Sequence, residues 1–153
     1  MKISTRGRYA LRVMVNLANA PKEEYISLSE ISAQEGISKK YLEQIIPSLL
    51  RHEFLEATRG HCGGYRLSRE PGAFTIGEVL RCTEGTLAPV KCVDTQCGSE
   101  PNCEHCNECP TYPIWKKLSQ VVSGYLDTLT LQDIVDGKFD VEQEVYFEDG
   151  AGI

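Results

Sequence analysis

The sequence predicts a mostly α fold with one small β-hairpin: a helix-turn-helix unit, a wing behind it, and a long helix beyond. Three observations carry this expectation. Helix-start signals at Ser27 and Ser38 flank Gly36 at the spacing of two short helices joined by a turn. A glycine-rich segment from Arg59 to Gly64 then separates two short strand-like runs. Finally, an apolar stripe at helical spacing runs from Ile114 to Leu129.

Taken in order, Ala10, Val13, Met14 and Leu17 recur at i, i+3, i+4 and i+7 and define one face of a first helix. Arg6, Arg8 and Arg12 gather on its first turns, where they serve either as a solvated helix end or as phosphate contacts. Ser27-Leu-Ser-Glu30 is a capping box, its hydroxyl and carboxylate satisfying the free amides of a helix start. That helix has Ile31 as its anchor and stops at Gly36. Ser38 caps the next helix, whose inward face is Leu42, Ile45, Ile46, Leu49 and Leu50. The runs Phe54–Thr58 and Tyr65–Leu67 supply two strands. A hairpin directly after the second helix of a helix-turn-helix makes a winged helix, and Arg59 at its tip suits the negative potential of a narrow minor groove. Thr75-Ile-Gly-Glu78 is a second capping box, opening a helix with Ile76, Val79 and Leu80 inward.

From Leu87 to Pro113 no periodicity is found. The stripe Ile114, Trp115, Leu118, Val121, Val122, Tyr125, Leu126 and Leu129 follows. Its length, beyond a domain that already has a core, suits packing against a second copy of the chain. Thr130 caps a last short helix with Leu131, Ile134 and Val135, ended by Gly137. The expected organisation is therefore a winged helix-turn-helix domain at 1–82, a cysteine-rich loop at 83–113, a dimerisation helix with a short C-terminal helix at 114–137, and an acidic tail at 138–153 expected to be disordered.

At 153 residues the chain is too short for a two-domain cofactor enzyme. No apolar run reaches a membrane span and no secretory signal is read, so a cytoplasmic protein with no membrane partner is expected. The net charge of −6 conceals an asymmetry. Residues 1–70 carry eleven Lys and Arg against eight acids, a net of +3, whereas residues 71–153 carry five against fourteen, a net of −9. The front half suits a polyanion; the rear half does something else.

The count of seven cysteines is high and odd, which in a reducing compartment favours metal or redox chemistry over a disulfide framework. Five fall in eighteen residues, spaced Cys92-x4-Cys97-x5-Cys103-x2-Cys106-x2-Cys109. Thiolates at this density select zinc, Cu(I) or an iron–sulphur cluster. Zinc knuckles use well-separated pairs, while a cluster is broader and tolerates irregular spacing. Cys62 and Cys82 stand apart and read as spectator thiols. With His52, His61 and His105 in no catalytic setting, no enzymatic constellation and no small-molecule substrate are expected.

The segments Met1–Leu11, Ile37-Ser38 with Tyr41–Gln44, Arg59-Gly60 with Gly63–Tyr65, Ile76–Val79 and Cys109-x5-Trp115 together resemble the IscR family of winged-helix regulators, over Met1 to about Val135. That family includes the cluster-biogenesis regulator IscR, the nitric-oxide sensor NsrR, the iron regulator RirA and the cluster-free cysteine regulator CymR. The resemblance implies a homodimeric transcription regulator that binds double-stranded operator DNA, controlled by an iron–sulphur cluster that senses cluster or iron status or redox stress. A 2Fe–2S cluster is favoured, with 4Fe–4S as the alternative form. Cys97, Cys103 and Cys109 match the family's ligand spacing. Tyr112 stands where IscR has its histidine ligand, which leaves Cys92, Cys106 and His105 as candidates for the fourth place and Cys92 as a rival to Cys97. Residues matching the family's DNA contacts are Ser38, Lys39, Lys40, Tyr41, Glu43, Gln44 and Arg59, with Gly60 beside them and Arg6 as the phosphate contact. His61-Cys62-Gly63-Gly64 departs from the family's usual wing. The alternative is a cluster-free regulator of cysteine metabolism governed by a partner enzyme or by thiol oxidation.

Overall fold

A computed structural model describes residues 2–60, 63–94, 103 and 108–139. Cys62, Cys97, Cys106, His61, His105 and the tail from residue 140 lie outside the described residues. The elements are α1 (Thr5–Ala18), α2 (Leu28–Glu35), α3 (Lys39–Arg51), β1 (Leu55–Thr58), β2 (Gly64–Leu67), α4 (Ile76–Glu84), α5 (Tyr112–Thr128) and α6 (Leu131–Val135). Short 3-10 turns stand at Pro71–Ala73 and Lys91–Val93.

Local chemistry explains the boundaries. Ser27 accepts from the Glu30 amide while the Glu30 carboxylate accepts from the Ser27 amide, and Thr75 with Glu78 repeats the exchange. Gly36 ends α2 at φ 64°, a left-handed geometry that glycine reaches without penalty, and this turns the chain into α3. The long helix begins at Tyr112, two residues earlier than the apolar stripe suggests. Pro113 occupies the first turn, where no amide partner is needed. Pro47, inside α3, offers no N–H to the carbonyl of Glu43 four residues back.

The core is where α1, α3 and α4 meet. Val13 and Met14, Leu42, Ile45 and Leu49, Phe74 and Val79 are fully buried there. Fully burying one such side chain contributes about 1.5–3 kcal/mol. Leu131 of α6, also fully buried, enters the same core from beyond α5. A two-residue backbone exchange holds it: Ile76 donates to the Leu129 carbonyl at 2.8 Å, and Leu131 donates to the Phe74 carbonyl at 3.1 Å.

The wing is an antiparallel pair with Leu55 opposite Leu67 and Thr58 opposite Gly64. Ile26 adds a third strip, exchanging two 2.9 Å backbone bonds with Tyr65. A Cβ on Gly64 would collide with the Ile26 backbone, so this close approach requires glycine. Among the described residues no helix is long and apolar enough to cross a membrane.

Candidate nucleic-acid interface and cysteine segment

Helix α3 has one face in the core and one in solvent. The Ser38 hydroxyl accepts from the Tyr41 amide at 3.3 Å and fixes where the helix begins. Lys39, Lys40, Glu43 and Gln44 are all exposed, on the side away from buried Leu42, Ile45 and Leu49. This is the arrangement a recognition helix needs to bring side chains to base edges in a major groove. Tyr41 differs from its neighbours. It is half-buried and packs edge-to-face on Tyr9 of α1, with centroids 5.3 Å apart, so it is also a packing residue.

The arginines of α1 divide in the same way. Arg6 is exposed and donates from Nη2 to the Gln44 carbonyl at 3.2 Å, bracing the middle of α3 from α1. Arg12 pairs with Glu35 at 3.0 Å and also donates to the Glu35 carbonyl, closing the end of α2, so the structure employs it as a helix cap. Arg8 donates to Thr5 within its own helix. On the wing, Arg59 and Gly60 are exposed, and Gly60 has φ 113°, a conformation that favours glycine. Gly63 closes the tip by donating to the Gly60 carbonyl at 3.0 Å.

The cysteine segment joins the 3-10 turn at Lys91–Val93 to the start of α5, and that turn packs against α5. Cys92, Cys103 and Cys109 are each half-buried and free. Cys109 lies three residues before α5, with its Sγ 3.3 Å from Thr111 Oγ1. Hydrogen bonds from the Thr111 side chain, and from the backbone of Thr111 and Tyr112, hold its thiol below the ordinary range. Such a thiol has the chemistry of a soft-metal ligand, which must be a thiolate. Cys97 and Cys106 fall outside the described residues, and among the described residues no three His, Cys, Asp or Glu side chains gather around one point.

Two features of the structure have no counterpart in the sequence reading. Cys82 lies on a polar seam between α3 and α4: its carbonyl accepts from Ser48 Oγ at 3.0 Å and its Sγ is 3.3 Å from His52 Nδ1. Burial pushes this thiol up, as suits a spectator. Arg81 of α4 and Asp127 of α5 form a two-pronged ion pair with both bonds at 2.7 Å. They are too far apart in the chain for any spacing rule to link them.

A capped helix pair with a solvated second helix, followed by a glycine-tipped hairpin, defines a winged-helix DNA-binding regulator. Residues 3–137 match the Rrf2 family, described as an iron-dependent transcriptional regulator, and the chain belongs to that family. It is a dimeric, DNA-binding and non-catalytic regulator. A helix-turn-helix-type regulator of Neisseria meningitidis is 36% identical over 138 residues, covering 90% of each chain. IscR of Klebsiella pneumoniae is 30% identical over 138 residues, covering 90% of this chain and 82% of its own. Among solved structures, CymR, the global cysteine regulator of B. subtilis, superposes with a TM-score of 0.72 at 33% identity, covering 92% of this chain and 99% of its own.

Proposed function

We propose that this cytoplasmic homodimer reads its operator with α3 and the wing tip, and that an iron–sulphur cluster on Cys97, Cys103 and Cys109 controls that reading, with 2Fe–2S the favoured form. The carrying observation is the even five-residue spacing of Cys97, Cys103 and Cys109, which ends at the foot of α5. Cys92 or Cys106 completes the ligand set. The cluster supplies a tie that depends on iron supply and redox state.

The chain's own residues do the rest. Cys92 lies in the 3-10 turn that packs against α5, and Cys109 lies at the base of α5, so both ends of the segment bear on one helix. Ile114, Leu118, Val121 and Tyr125 are exposed apolar residues on α5, with Ile114 at 62% and Tyr125 at 54%. A two-fold partner covers this face, and its geometry sets how far apart the two α3 helices stand. Ligation of these cysteines acts on DNA binding only through a difference in affinity between two arrangements of the dimer.

A cluster-free reading also has an observation in its favour. The solved-structure comparison backs it better than the cluster reading, since CymR is among the chains most similar in fold. In that reading a partner enzyme or oxidation of the same thiols sets operator affinity. Anaerobic purification with iron and sulphide quantitation separates the two. The cluster reading expects a brown dimer, and folded, colourless dimers with altered DNA binding for Cys103→Ala and Cys109→Ala. Full iron, sulphide and colour in the Cys103 variant removes the ligand assignment. An iron-free wild type that binds operator according to its thiol state establishes the alternative.

A further inference from the structure

Helix α5 has no fully buried residue, yet its angle to the winged helix decides where a dimer places its two recognition helices. Its attachments differ in kind. The backbone exchange joining Leu129 and Leu131 to Ile76 and Phe74 pins one end of the helix, and the 3-10 turn Lys91–Val93 packs against it as well. Leu126 packs on the core through apolar contact, which is non-directional. The Arg81–Asp127 pair is directional, because both guanidinium prongs meet both carboxylate oxygens at 2.7 Å.

The sequence makes room for this pair. Gly77 occupies the first turn of α4 with ordinary helical geometry, where glycine is a poor helix former. A Cβ at that position would overlap Asp127 Oδ1 and press on Arg81 Nη1. The glycine leaves open the space across which the ion pair lies. The other end of α4 repeats the device. Glu84 lies against Gly7 of α1 and accepts from both the Ser4 amide, at 3.2 Å, and the Ser4 hydroxyl, at 2.7 Å. From α1, Arg6 reaches the Gln44 carbonyl; from α4, the Cys82 carbonyl accepts from Ser48 of α3. Helix α4 therefore stands between α5 and the recognition helix, with polar joints on each side.

We infer that Gly77, Arg81 and Asp127 form a positioning joint that fixes α5 against the winged helix and thereby sets the half-site spacing the dimer accepts. The inference rests on the dimer being formed through α5. Arg81 and Asp127 touch no DNA in this assignment; they act through the relative placement of two copies of α3.

The test selects from randomised duplex DNA with the full-length wild type, Gly77→Ala and Asp127→Asn, and reads both the half-site motif and the spacing between paired motifs. The wild type should enrich one spacing. Both variants should remain folded dimers by circular dichroism and sedimentation and should select the same half-site motif. Their enrichment of the preferred spacing should fall about tenfold or more, as expected when one half-site is held out of register with its bases. The double variant Arg81→Gln with Asp127→Asn should lose no more than Asp127→Asn alone, because the two groups act as one unit. Variants that keep the wild-type spacing overturn the joint, and so do variants that lose the half-site motif or the dimer. A monomeric wild type defeats the dimer reading instead, a distinct result.

Discussion

In the proposed interface, Gln44 and Arg59 divide the work of recognition by their chemistry. A glutamine has the geometry to pair bidentately with adenine, so if α3 enters the major groove as proposed, Gln44→Ala should cost about 1–3 kcal/mol of discrimination against the wrong base. Arg59→Ala should weaken all sequences more evenly, since a minor groove is read by its potential and width. Competition titrations with operator and random duplex check both; wild-type behaviour in both variants would refute this interface. A different residue contributes to acid stability. The Asp133 carboxylate accepts from Lys138 at 2.8 Å and from the Thr130 hydroxyl and amide at 2.7 and 2.9 Å. These bonds, that of Lys138 foremost, bring it from 3.8 down to about 2. Between those values the unfolded chain binds a proton that the folded chain does not, so stability rises with pH across this window. The contribution is complete above the unfolded value and is lost as pH falls through the folded one. Urea titrations from pH 2 to 5, in the range of these two values, should show a shallower pH slope for Asp133→Asn.

At the scale of elements, α5 is where sequence and structure part company. Eight apolar positions read as one stripe, but the structure splits them into two faces. Ile114, Leu118, Val121 and Tyr125 are exposed, while Leu126 and Leu129 pack on the core of their own chain. Spacing alone does not separate these faces, because eight apolar residues over four turns wrap too much of the helix surface. The consequence is a contrast. Val121→Glu and Tyr125→Glu should give folded monomers with weak operator binding, whereas Leu126→Glu should destabilise the chain itself, as burying an unpaired charge does. Sedimentation with thermal unfolding distinguishes these outcomes. By comparison, the starts of α2, α4 and α6 are legible, since each opens with a Ser or Thr whose partner acid lies three positions on, although α6 stops at Val135, short of Gly137. Capping is local chemistry and survives in a linear string. The dual role of Tyr41, the brace from Arg6 and the Arg81–Asp127 pair were not legible, because each depends on helices brought together only by the fold.

For the whole molecule, charge decides how DNA binding responds to salt. In the proposed interface a chain of net −6 meets the polyanion through its front half, where the net is +3. Affinity should fall linearly with salt on logarithmic axes, and Lys39→Ala or Lys40→Ala should each reduce the slope by about 1 if the lysine meets a phosphate. Binding isotherms at several salt concentrations measure this, and an unchanged slope would move that lysine off the backbone.

The return of Leu131 to the core also matters while the chain is being made. Its partners lie in α1 and around Phe74, far earlier in the sequence, and the cysteine segment and α5 intervene. A ribosome therefore releases the thiols and the apolar face of α5 before it delivers the residue that closes the domain. On a nascent chain the winged helix waits half-finished, with a gap where Leu131 belongs. Folding to completion is thus coupled to synthesis of the cysteine segment, and a chain cut short before α6 should be more open to proteolysis than the full chain.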